Sequence, residues 1–187
     1  MESLHKKFGE PMEMVRKKIR THMDAMVRDF ITRAPFAVLA TSSAEGDCDA
    51  SPKGGTPGFF KVLDENRLVI PDIAGNKLFQ SFENVMSNPH AGLLFLIPGC
   101  DWTVRVNGRA RRLDSEDHQI DNLSPETLWE DDNTKVIQGL LVEVDEAYAH
   151  CPRAFLFSKL WDPERLAESL ESDPNRYWFK RWREASA

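Results

Sequence analysis

The sequence is poor in the features that mark several large protein classes. It has only three cysteines, Cys48, Cys100 and Cys151, odd in number, far apart and without a CxxC pair. That excludes both a disulfide framework and a zinc ribbon and suits a reducing cytoplasm. No run of apolar residues approaches the roughly 20 needed to span a bilayer, and the opening MESLHKKFGEP has no signal-peptide core. There is no surplus of positive charge either. The 187 residues carry a net charge of −6, against the needs of a protein that grips nucleic acid or an anionic membrane. The five histidines show no metal-ligand spacing, no serine lies in a nucleophile elbow, and no acid pair stands out, so no catalytic residue is singled out and no metal is expected.

What is present is a single domain's worth of chain with 41% hydrophobic residues. From Pro11 to Arg33, Val15, Ile19, Met23, Met26, Val27 and Phe30 recur at three- and four-residue spacing, which predicts an amphipathic helix closed by Ala34-Pro35. A second helical pattern covers Asn76 to Ser87, with Leu78, Phe79, Phe82 and Val85 on one side and Asn88-Pro89 as the stop. Strand character falls on 36–41, 48–53, 59–63, 68–71, 92–97, 103–113 and 137–144. Ala44-Glu45-Gly46-Asp47 and Asp64-Glu65-Asn66 suit hairpins, which makes neighbouring strands antiparallel. The expected fold is mainly β with peripheral helices, a small barrel of six or seven strands. Residues 1–34 form its N-terminal helix, 35–150 the barrel, and 151–187 a helical tail of the same domain. Ala37-Val38-Leu39-Ala40 and Leu93-Leu94-Phe95-Leu96-Ile97 are apolar on both faces, so a helix, a partner subunit or a cofactor must cover the outer one.

Three segments carry candidate chemistry. In Asp49-Ala50-Ser51-Pro52-Lys53-Gly54-Gly55-Thr56-Pro57-Gly58 a strand gives way to a loop whose glycines admit close approach of a ligand to the backbone, while Ser51 and Lys53 offer a hydroxyl and a cation. Ile70-Pro71-Asp72-Ile73-Ala74-Gly75-Asn76-Lys77 leads from a strand into the predicted helix. A glycine before a helix start and a lysine in its first turn can seat a phosphate, although Asn76 can equally be no more than the N-cap. In Asp101-Trp102-Thr103-Val104-Arg105-Val106-Asn107-Gly108-Arg109-Ala110-Arg111-Arg112, four arginines fall within eight residues. Arg111 and Arg112 read as a solvated face, and Arg105, between two valines, as the anion-binding candidate.

In their order along the chain, ASPKGG, GFFKVLDENRLVIPD, GNKLFQSFENVMSNP, AGLLFLIPG and TVRVNGRA resemble the FMN-binding split barrels related to pyridoxamine 5′-phosphate oxidase, over residues 35–113 and again over 137–161. The likeness is to the flavin-nucleotide-binding branch of that family. The arginine-histidine-arginine type of C-terminal clamp that the vitamin-processing oxidase carries has no counterpart in 177–183. The resemblance implies an antiparallel split β-barrel that binds FMN at the two-fold interface of a homodimer. It places Asp49, Ser51, Pro52 and Lys53 beside the flavin ring, Ile70, Pro71 and Asp72 beside the ribityl chain, and Asn76 and Lys77 at the phosphate. Thr103 and Arg105 approach from a neighbouring strand, and Arg153, Ser158 and Trp161 close over the flavin from the partner. The implied activity is that of a flavin-dependent oxidoreductase on a small substrate. The alternative is a non-catalytic module that stores or senses a flavin or haem; a deazaflavin is the other ligand to weigh against FMN.

Overall fold

The computed structural model describes residues 4–75, 77–114, 116–117, 127 and 134–186. Along the chain run α1 (Leu4–Phe8), α2 (Glu13–Lys17), α3 (Ala25–Arg33), β1 (Phe36–Ser42), β2 (Cys48–Gly54), β3 (Lys61–Val62), β4 (Arg67–Ile73), α4 (Gln80–Ser87), β5 (His90–Leu96), β6 (Thr103–Leu113), β7 (Val136–His150), α5 (Arg153–Ser158), α6 (Pro163–Glu171) and α7 (Pro174–Ala185). The chain divides into two compact units, Met1–Ile97 with Thr103–His150, and Pro98–Trp102 with Cys151–Ala187.

The first unit is built on one seven-stranded antiparallel sheet in the order β2-β1-β5-β6-β7-β4-β3. Both hairpins expected from the turn residues form. Ser43 and Asp47 close the first, with Gly46 at φ 95°, where a side chain would be strained. Leu63 N–H donates to the Arg67 carbonyl at 2.9 Å in the second. Alternation sends Leu39, Leu93, Val106 and Ala147 inward as one row of directly paired residues, all buried. Phe60 packs edge-on against both Phe59 and Phe95 in the same core. The next row, Val38, Leu94, Arg105 and Tyr148, lies on the outer face.

The sheet coils strongly enough to bring β2, at one end of the strand order, near β4, next to last at the other. Lys53 Nζ on β2 lies 3.9 Å from Asp72 Oδ1 on β4, although the two strands do not pair. The opening between them is the split in the barrel. On β6 the register shifts at Asn107/Gly108, where β7 carries an extra residue. A Cβ on Gly108 would stand 2.1 Å from the Glu143 carbonyl oxygen, so the bulge requires glycine.

Both predicted helices differ from the expectation at their N-terminal ends. The pattern from Pro11 to Arg33 resolves into α2 and α3, because Arg20 leaves the helical path to exchange backbone hydrogen bonds with Ala147 of β7 at 3.1 and 2.8 Å. Asp24 then caps α3 by accepting from Val27 N–H at 2.9 Å, and α3 buries Val27 and Ile31. The pattern from Asn76 to Ser87 becomes helical only at Gln80. Lys77 and Phe79 have φ of 62° and 51°, outside helical conformation, and Asn76 lies outside the described residues.

In the second unit, Asp162 and Asp173 cap α6 and α7, each followed by a proline at the first helical position, where its missing N–H costs nothing. None of α5, α6 and α7 contains a buried residue. Among the described residues no helix is long and apolar enough to cross a membrane.

Candidate functional site

The split opens into a cavity of about 440 Å³ within the first unit, a volume in the range of small-ligand sites. Three segments line it: Asp49 to Lys53 of β2, Asp72 and Ile73 at the end of β4 with Gly75 just beyond, and the loop and first turn of α4 from Lys77 to Phe82. The two-residue period of β2 turns Asp49, Ser51 and Lys53 toward the cavity and leaves Ala50 and Pro52 exposed. As an edge strand, β2 is paired only with β1, so the backbone groups of its other edge are available on the side of the split. Pro52 fits there because an edge position tolerates a missing donor.

The charges form two sets. Both carboxylates are engaged by the protein: Ser81 Oγ donates to Asp49 Oδ2 at 2.6 Å, and Gln138 Nε2 donates to Asp72 Oδ2 at 3.0 Å. The ammonium groups are not engaged in this way. Lys53, with its side chain 17% exposed, lies near Asp72 and 6.0 Å from the Phe82 ring, but has no hydrogen-bond acceptor among the described residues. Lys77, on the exposed loop, has none either. The cavity therefore offers a ligand the donors of two ammonium groups, while each carboxylate has one oxygen engaged by a protein donor.

The structure gathers some of the expected site residues and disperses others. Asp49, Ser51, Pro52, Lys53, Asp72 and Lys77 line the cavity. Lys77 does so from the loop before α4 and not from a helical first turn, which corrects the helix-start account of a phosphate seat. Ile70 and Pro71 are buried in β4 and are not among the lining residues. Thr103 is 3% exposed. Arg105 is not on the cavity wall. Its Nη1 donates to Tyr148 Oη at 3.1 Å on the outer face, where Lys18 also sits 5.0 Å from the Tyr148 ring.

Arg153, Ser158 and Trp161 belong to the second unit. There Arg153 lies 4.6 Å from the Phe157 ring, Ser158 bonds the Phe155 carbonyl, and Trp161 stacks on Phe155 while donating to the Cys100 carbonyl at 3.0 Å. Ser81, Phe82 and Gln138 were missed by the sequence reading. The only signal for Gln138 was a polar residue in an otherwise apolar strand segment. Among the described residues no cluster of three metal-ligating side chains occurs.

Fold and cavity together define a split-barrel protein with a cavity between its separated strands. The sequence profile of pyridoxamine 5′-phosphate oxidase matches residues 23–135, and the chain belongs to that family. Two solved structures share the fold. A HupZ variant from Group A Streptococcus is 16% identical, with a TM-score of 0.52 over 68% of this chain and 99% of its own. A provisionally named pyridoxamine 5′-phosphate oxidase from Lactobacillus delbrueckii is 17% identical, with a TM-score of 0.50 over 69% of this chain and 95% of its own. No curated protein matches the sequence.

Proposed function

We propose that the cavity between β2, β4 and α4 holds FMN and that the protein is an FMN-dependent oxidoreductase acting on a small substrate. The observation that carries this reading is a pair of ammonium groups on the cavity wall, Lys53 and Lys77, neither of which has a hydrogen-bond acceptor among the described residues. FMN presents the complementary set, a phosphate and a planar ring edged with acceptors. Lys77 is the residue for the phosphate, and Lys53, Ser51 and the free edge of β2 are those for the ring and ribityl chain. Family membership supports the same reading.

Bound FMN supplies the hydride or electron transfer itself; the protein's part is binding, orientation and electrostatics. Lys53 and Lys77 set two cations beside Asp49 and Asp72 in a chain of net charge −6. Phe79 and Phe82 line the cavity with apolar surface that limits water beside the ring.

We also propose a homodimer. On the outer face Phe36 is 38% exposed, and Val38, Leu94 and Leu96 are only half-buried. A second copy would cover them, and it is from a second copy that Arg105 and the tail residues Arg153, Ser158 and Trp161 would act at a flavin.

The test is to add FMN to purified protein and follow flavin fluorescence, then to mix the loaded protein anaerobically with reduced nicotinamide cofactors. Quenching followed by bleaching supports the oxidoreductase. Quenching without bleaching by any donor leaves a binding module, and absence of quenching refutes the flavin site. A Soret band on adding haem instead would assign the cavity to haem. Within the site, Lys77→Ala is expected to weaken FMN about tenfold, the value of one charge-assisted hydrogen bond, whereas Arg112→Ala leaves affinity unchanged.

A further inference from the structure

Lys53 and Asp72 face each other across the split, on strands that are not paired, at 3.9 Å. That separation is too long for a hydrogen bond, yet both side chains are mostly buried, at 17% and 15% exposure, where charges are weakly screened. Asp72 cannot simply turn to meet the ammonium. Its second oxygen is held by Gln138, a buried residue directly opposite on β7, and the register of β4 on β7 shifts between Asp72 and Ile73. Asp72 thus attracts Lys53 without occupying its donors. A bridge serving only to tie β2 to β4 would close to contact; this one leaves the ammonium directed at the cavity with its hydrogen-bonding capacity unspent.

We infer that Asp72, fixed by Gln138, is a positioning residue that orients Lys53 toward the ligand and offsets its charge, so that the pair sets the electron affinity of the bound cofactor. The inference rests on the FMN reading of the same cavity. Its sign follows from electrostatics. An ammonium beside the flavin favours the added negative charge of the reduced state, and a carboxylate disfavours it. Asp72 lowers the reduction potential and Lys53 raises it.

The test is the midpoint potential of FMN-loaded wild type, Asp72→Asn, Lys53→Met and the double variant, with FMN affinity measured on the same samples. Asp72→Asn keeps an oxygen for Gln138 and removes only the charge. Its potential is expected to rise, that of Lys53→Met to fall, and that of the double variant to return close to wild type. A purely structural bridge would lower thermal stability in both single variants without moving their potentials in opposite directions. If wild type takes up FMN but the two single variants shift together or not at all, the inference is overturned and the flavin site stands. If wild type takes up no FMN, the flavin reading falls and this inference falls with it.

Discussion

Ser81 Oγ in the first turn of α4 donates a 2.6 Å hydrogen bond to Asp49 Oδ2 on β2, joining the helix that forms one wall of the cavity to the edge strand that forms another. Ser81 is only 4% exposed, so this bond has little competition from water. β2 has a strand partner on one side only, which makes a side-chain tether of this kind the means of holding it against the helix. Replacing Ser81 with Ala is expected to cost about 1 kcal/mol of stability, read by denaturant unfolding, and to weaken FMN as well, because Asp49 is left to repel the ligand. An unchanged affinity would show that the tether is independent of the site.

Gly108 offers a sharper test of the fold. A methyl group there would collide with the Glu143 carbonyl, which is backbone and cannot swing aside. Gly108→Ala should destabilise the barrel by about 3 kcal/mol or more, measured by thermal or denaturant unfolding. Gly46→Ala, in open space but at positive φ, should cost less, about 1 kcal/mol.

The β3–β4 turn makes a prediction about pH. Arg67 Nε donates to Asp64 Oδ2 at 2.8 Å and the Asn66 amide donates to Asp64 Oδ1 at 2.9 Å. The hydrogen bond from Arg67, followed by that from Asn66, holds the Asp64 carboxyl below its ordinary range. A carboxyl lowered in the folded state stabilises fully at pH values above its unfolded value, near 4, and loses that contribution as pH falls through the folded value. Wild type should exceed Asp64→Asn in stability at pH 7, and the difference should shrink below about pH 4. The ion pair is partly exposed, so salt should reduce the difference too.

The outer face of β1 and β5 predicts assembly. Val38 and Leu94 are directly paired on that face. Placing a carboxylate there by Val38→Glu costs little in a monomer but would have to be desolvated in a dimer. Light scattering should give twice the monomer mass for wild type and the monomer mass for Val38→Glu; a wild-type monomer would remove the shared site.

Much of the barrel was legible because strand alternation is local. The run from Thr103 to Leu113 is a strand over those same residues, and both hairpins form where Gly46 and Asp64-Glu65-Asn66 permit the chain to reverse. The helix ends were not legible in the same way. Leu78 and Phe79 have the right spacing for a helical face, but spacing carries no information about φ, and the chain turns left-handed at Lys77 and Phe79 before α4 begins. The break between α2 and α3 comes from Ala147, far along the chain.

The same division holds for the site. The amino-acid sequence alone determined the strand order in time, the glycine-rich loop after β2, the two lysines that face the cavity and the family to which the chain belongs, because each is written in short runs of residues. Only the tertiary structure decided that Lys53 meets Asp72, that Gln138 holds Asp72 from the far strand, and that Arg105 turns to Tyr148 on the outer face. Those relations follow from how tightly a seven-stranded sheet coils and where its register slips, properties of the whole packed sheet that no local pattern encodes.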